Sequence, residues 1–263
     1  MKRIETGPQN PIYYEVELWE NSPLRHGIFT RHGGVSRADW SSLNVGGTVG
    51  DDLDAVAENH RRMYEVLDVK PEQACTVWQV HGTDTVLANG TMPQRKWLAR
   101  ADAMITDQPR VALAMRFADC VPVLFYDPEH NAIGMAHAGW RGTVDGMVRS
   151  TVEAMQTAFG TNPAELHAAI GPSIGPDKYQ VGEEVVQAVE DEYGTTDGLI
   201  KRAADGSAYF NLWEANERSL RACGVQTIER ADICTATYTE EFFSHRAEHG
   251  RTGRFGVVMV LND

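Results

Sequence analysis

The segment Val121-Pro-Val-Leu-Phe-Tyr-Asp-Pro-Glu-His-Asn-Ala-Ile-Gly-Met-Ala-His137 constrains the fold more than any other stretch of the chain. Two apolar runs flank an Asp-Pro-Glu-His-Asn turn, which is the pattern of a β-hairpin. Such a hairpin brings Cys120 and His137, at its two open ends, near one another. Further short β-type runs are Tyr13 to Trp19, Gly27 to Thr30, Thr76 to Ala88, Val111 to Phe117, Leu166 to Ile170, Thr227 to Ile233 and Phe255 to Leu261. Most are bounded by Gly, Pro, Asn or Asp.

Four stretches carry a helical period instead. Asp51 to Val69 places Leu53, Val56, Met63, Val66 and Leu67 on one stripe, and Thr143 to Phe159 does the same before Gly160. Glu183 to Tyr193 stops at Gly194; Asn211 to Cys223 opens with a capping-box-like Asn211 and Glu214 and stops at Gly224. Strands predominate, in groups separated by helices rather than in strict βαβ alternation, which predicts an α+β fold. No repeat, low-complexity tract or Pro/Ser-rich linker interrupts residues 1–263, so a single domain is expected.

Composition narrows the function classes. The 263 residues carry a net charge of −13, which argues against electrostatic binding to nucleic acid or an anionic membrane. An anionic substrate must then be met by a few specific arginines. No run approaches the ~18 apolar residues of a membrane span, and the charged start lacks the apolar core of a secretory signal, so the expected location is cytoplasmic. The four cysteines, Cys75, Cys120, Cys223 and Cys234, are scattered and form no Cys-x-x-Cys pair, so they are expected as thiols.

Three segments pair a reactive side chain with glycine or proline: Gln79-Val80-His81-Gly82, Ala118-Asp119-Cys120-Val121-Pro122 and Ala136-His137-Ala138-Gly139-Trp140-Arg141-Gly142. Two imidazoles and a thiolate, if the fold converges them, form a three-ligand set for a zinc with an open fourth position. The alternative is a Cys120 nucleophile activated by His81 or His137, with Asp102 or Asp119 orienting the imidazole. Nucleobase deaminases of the His-x-Glu, Pro-Cys-x-x-Cys type are excluded, and no Walker loop, dinucleotide-binding Gly-x-Gly-x-x-Gly, nucleophile elbow or His-Glu-x-x-His is present. A Gly-rich stretch from Phe29 through Arg31 to Gly46, which includes Asn44, could meet an anion. Phe242-Phe243-Ser244-His245-Arg246, followed by Arg251 and Arg254, offers aromatic faces for a flat base and arginines for phosphate.

Those three segments, with Gly171-Pro172-x-Ile174, Tyr179-x-Val181-Gly182 and Phe243-Ser244-His245-Arg246, resemble the laccase-domain family, also called the multicopper polyphenol oxidoreductase or YfiH-like family. Its members are regarded as purine nucleoside phosphorylases. The likeness runs from about Phe29 to the end of the chain. It implies layered β-sheets flanked by helices and a metal, zinc with copper as the alternative, on His81, Cys120 and His137. It also implies a small-molecule substrate pair of purine nucleoside and phosphate, met by Arg31, Asn44, Arg141, Phe243, His245 and Arg246. The expected reaction is phosphorolysis of adenosine, inosine or guanosine, with adenosine deamination as a side activity. The alternatives are copper-dependent polyphenol oxidation and hydrolytic editing of a cell-wall precursor peptide. One departure stands out: Arg246 is followed by Ala247-Glu248-His249-Gly250, where the family commonly has a second basic residue. No phosphate contact is therefore carried over to position 247.

Overall fold

The computed structural model describes residues 1–90 and 97–262. Two six-stranded sheets form its middle. The first has the order β1 (Lys2–Ile4), β2 (Tyr13–Glu15), β3 (Leu24–Phe29), β15 (Phe255–Leu261), β7 (Ala112–Phe117), β4 (Ala74–Cys75). The second has the order β14 (Thr227–Arg230), β10 (His167–Ile170), β8 (Val121–Asp127), β9 (Ala132–Ala138), β6 (Ala103–Thr106), β5 (Thr85–Leu87). Pairing is antiparallel except at β4–β7, β5–β6 and β10–β14. A small third sheet joins β11 (Gln180–Val181), β13 (Ala208–Phe210) and β12 (Ile200–Arg202).

The two-residue period of a strand assigns each side chain a layer. On β15, Phe255, Val257, Met259 and Leu261 enter the core between the two sheets, where they join Leu124 and Tyr126 of β8. The alternate residues Val258 and Val260 pack on the outer side with Met63 and Tyr64 of α1 (Leu53–Glu65). The alternate residues of β8, Val121, Val123 and Phe125, pack outward with Met147, Val152 and Met155 of α3 (Met147–Phe159) and Leu212 and Leu220 of α5 (Leu212–Ala222). Val185 and Val189 of α4 (Glu183–Tyr193) belong to the same cluster. The result is helix, sheet, sheet, helices: the expected α+β layering, with every strand of the inner pairs apolar on both faces because both are covered. Among the described residues no helix is long and apolar enough to cross a membrane.

The expected hairpin forms, with Val121 opposite Ala138 and Pro122 opposite His137. Its turn is held by Asp127, whose Oδ1 accepts from the N–H groups of Glu129 (3.0 Å) and His130 (3.1 Å). The expected cap at Asn211 forms too, accepting from Glu214 N–H; α1 is capped by Asp52, which accepts from Asp54 N–H. Three expectations need correction. Thr76 to Ala88 is not one strand; Thr85–Leu87 forms a strand and Trp78 only an isolated bridge to Arg100, because the backbone between them wraps around a buried carboxylate described below. The helix expected over Thr143 to Phe159 breaks at Gly146, whose φ of +89° ends α2 (Trp140–Val144) and starts α3. Tyr13 to Trp19 leaves the sheet after Glu15 for a 3₁₀ turn, Glu17–Trp19, whose N–H groups at Glu17 and Leu18 are taken up by Glu229.

Phe255 is fully buried where the layers meet, its ring 5.9 Å from Phe117 and 5.2 Å from Phe242. Phe255→Ala is expected to destabilise the protein by about 3–5 kcal/mol through the cavity it leaves. A lowered urea midpoint at unchanged slope checks it.

Candidate functional site

Cys120 lies where the chain passes from β7 of one sheet to β8 of the other, so a site there is floored by both sheets. The residue before it, Asp119, adopts φ +81°, a costly conformation for a non-glycine residue. Hydrogen bonds over-determine it: Oδ1 accepts from Thr235 Oγ1 and Ser244 Oγ, each at 2.7 Å, and Oδ2 accepts from Arg246 N–H at 2.6 Å. Asp119 thereby fastens the loop carrying Ser244, His245 and Arg246 beside Cys120.

The other two residues are placed by Asp102, fully buried just ahead of β6. Its oxygens accept from three successive backbone N–H groups, Val80 (3.1 Å), His81 (3.0 Å) and Gly82 (2.7 Å), which curl around it. This curl gives His81 its φ of +60° and explains why the expected strand does not form. Asp102 Oδ1 also lies 2.8 Å from Nδ1 of the buried His137, which leaves His137 Nε2 for the site. Burial alone would raise the Asp102 carboxyl, but these hydrogen bonds, from His137 and Gly82 foremost, hold it below the ordinary carboxylate range.

His81, Cys120 and His137 therefore converge: their ligand atoms all lie within 4.8 Å of one another, and the two imidazole centroids are 4.8 Å apart. Gly139 makes room for them, since a Cβ there would sit 3.0 Å from His81 Nδ1 and 3.2 Å from Cys120 Sγ. Burial opposes ionisation of Cys120, yet the charge and hydrogen bond of His137, with a further hydrogen bond from His81, bring its thiol down to about 6. His137 is correspondingly raised to about 9 against its own burial, by Cys120 and Asp102. A thiolate between two imidazoles, one of them braced by a carboxylate, is a donor set that suits zinc or copper.

Above this cluster opens a cleft of about 1230 Å³. Arg141, His245 and Arg246 line it, and Tyr179 and Trp140 supply aromatic walls. The Arg141 guanidinium lies 4.3 Å over the Trp140 ring, and that of Arg246 lies 5.1 Å over Tyr179 while donating to Gln180 O at 2.8 Å. Three expected contacts sit elsewhere. Arg31 pairs with Glu248 at 3.0 Å and donates to the carbonyls of Ser41 and Thr239. Phe243 is fully buried beneath Arg31, at 4.4 Å, so its ring is no open stacking face. Asn44 is fully buried and serves the backbone of Gly46 and Arg254. Arg254, grouped in the sequence only with general phosphate candidates, lines the cleft instead. Its signal was the Thr252-Gly253-Arg254 turn into β15, which looks like ordinary surface until the loop is folded against Asn44.

A layered α+β protein with a His2Cys ligand cluster beneath an arginine-rimmed cleft is thus defined. The chain belongs to the multi-copper polyphenol oxidoreductase laccase family, whose model matches residues 25–262. It is 37% identical over 258 residues to a purine nucleoside phosphorylase of Bacteroides thetaiotaomicron, with 95% of each chain covered. It is 38% identical to purine nucleoside phosphorylase YlmD of Geobacillus stearothermophilus over 87% of this chain and 86% of that one. The crystal structure of YlmD from Geobacillus stearothermophilus superposes with a TM-score of 0.89, 32% identity and 98% coverage of both chains; that of Bacillus licheniformis protein YfiH gives 0.90, 31% and 98%.

Two outcomes are expected. Asp102→Asn keeps the side-chain shape but weakens the acceptor behind both histidines, so zinc affinity should fall about 10–100-fold in a competition titration with a chelator. In metal-stripped protein, alkylation of Cys120 should rise with pH about a midpoint near 6 rather than 9, because the thiolate reacts. Cys120→Ser protein supplies the blank for the other three cysteines.

Proposed function

We propose that this protein is a zinc-dependent purine nucleoside phosphorylase of the cytoplasm. It would cleave adenosine, inosine or guanosine with phosphate to the free base and ribose 1-phosphate, and would deaminate adenosine as a side activity. The observation that carries the reading is the pairing of the His81–Cys120–His137 cluster with Arg141, Arg246 and Arg254 in one cleft of a chain whose net charge is −13. The names of the relatives point the same way.

In phosphorolysis a phosphate oxygen forms a bond to ribose C1′ as the C1′–N9 bond breaks, and the purine leaves with the electron pair and gains a proton. Charge moves from phosphate to base, so a site for the reaction needs fixed cations for the one and hydrogen-bond donors for the other. The arginines supply the cations. Burial, foremost, keeps the Tyr179 hydroxyl above its ordinary pKa, so it remains a neutral donor on the cleft wall. Burial, followed by Arg254, holds His245 below its ordinary value, so it is neutral at pH 7. His81, Cys120 and His137 would hold zinc, which supplies Lewis acidity at the cleft floor when bound.

The family model's description also carries a copper oxidase reading. A thiolate with two imidazoles takes Cu(II) more tightly than Zn(II). Multicopper oxidation needs further clusters, however, and among the described residues His81, Cys120 and His137 are the one group of three or more such ligands. The test is incubation of zinc-loaded protein with inosine and phosphate. Hypoxanthine and ribose 1-phosphate should appear in equal amounts, and Cys120→Ala should lose both bound zinc and at least about 100-fold of the rate. No hypoxanthine under any metal condition defeats the reading; copper at one equivalent with little zinc in protein purified without added metal turns it toward the oxidase.

A further inference from the structure

The proposed phosphorolysis needs a place for the phosphate dianion, and the arginines near the cleft differ in what they already hold. Arg31 is neutralised by Glu248, and Arg61 is shared between Glu58 and Glu65. Arg116 spends its guanidinium on Thr76 Oγ1 (2.9 Å) and Val77 O (2.7 Å), in the segment that leads to His81. Arg141 and Arg246 are exposed at the rim, each stacked on an aromatic ring.

Arg254 combines three features and, unlike the exposed Arg141 and Arg246, is half-buried. No carboxylate among the described residues pairs with it, and its Nη1 donates only to the carbonyls of Gly253 (2.8 Å) and Thr252 (3.3 Å). Its Nε and Nη2, the side of the guanidinium fork that grips a tetrahedral oxyanion with two parallel N–H groups, meet no acceptor among those residues. Its backbone and stem are also fixed in place. Asn44 Oδ1 accepts from Arg254 N–H at 2.8 Å and from Gly46 N–H at 2.9 Å, so one buried carboxamide sets both sides of the contact. Gly46 is needed there, since a Cβ would meet Arg254 Cγ at 2.8 Å. Asn44 is itself tied to Asp51 at 2.8 Å. A half-buried guanidinium, preorganised by a rigid frame and unpaired within a cleft, is the chemistry of an anion anchor.

We infer that Arg254 is the two-pronged anchor of the phosphate co-substrate, and that Asn44 and Gly46 are positioning residues that hold its stem in the cleft. The identity of the anion rests on the phosphorylase reading; the presence of an oxyanion site does not. Inorganic phosphate is titrated by calorimetry into zinc-loaded wild type, Arg254→Met, Arg254→Lys and Gly46→Ala, with thermal midpoints confirming that each is folded. Phosphate and inosine KM values are then measured for each. Arg254→Met should weaken phosphate binding at least about tenfold and raise the phosphate KM to match, while the inosine KM stays within about twofold. Arg254→Lys should recover only part, since a point charge lacks the fork. Gly46→Ala, which keeps the arginine but displaces its stem, should fall between. Phosphate binding unchanged in Arg254→Met, equal loss of inosine and phosphate, or a wild type that binds no phosphate overturns the assignment. A wild type that binds phosphate through Arg254 yet yields no hypoxanthine would leave this site standing and remove the phosphorylase reading alone.

Discussion

The buried carboxylate of Asp102 is the constraint on which the rest of the site depends. Removing a carboxylate from water is costly, and here the cost is offset only because three consecutive backbone N–H groups and one imidazole turn toward it. That single requirement bends residues 80–82 out of the sheet, brings the exposed His81 beside Cys120 and fixes which nitrogen of His137 faces Cys120. The two histidines are thus not brought together by chance packing. They are two ends of one hydrogen-bonded unit, anchored at the start of β6 and carried by the register of the hairpin strands beside it.

Asp119 does for the cleft wall what Asp102 does for its floor. Both carboxylates are buried and satisfied by neighbours, so that in the cleft above them Arg141, Arg246 and Arg254 meet no carboxylate partner among the described residues. An acidic protein can in this way discourage polyanions at large and still receive one small anion at a defined place.

The α+β class, the hairpin and the cap at Asn211 were legible in the sequence because each rests on local signals: grouped strand and helix periods, Asp-Pro-x-x-Asn, a capping Asn; the layering came from the family resemblance. The convergence of His81, Cys120 and His137 was legible only as a possibility, since their spacing is not that of a compact metal motif and the fold must bring them together. What sequence reasoning misread were places where a long-range partner overrides local preference. Thr76 to Ala88 has the residues of a strand, but a carboxylate at position 102 claims its backbone. Arg31 and Phe243 have the types expected of ligand contacts, but Glu248 and the core claim them. Arg254 was legible only as one of several arginines after Phe243, because its placement in the cleft depends on Asn44, 210 positions away.

β15 occupies the centre of the first sheet, between β3 and β7, although it is the last strand along the chain. During synthesis every strand of the second sheet, with His81, Cys120 and His137, therefore leaves the ribosome before the first sheet can close. Until then β3 and β7 each present a bare hydrogen-bonding edge to one another's empty neighbour position and to any other nascent chain. Closure of the first sheet thus waits on β15, and the loop that Asp119 holds against Cys120 arrives in the segment just ahead of that strand.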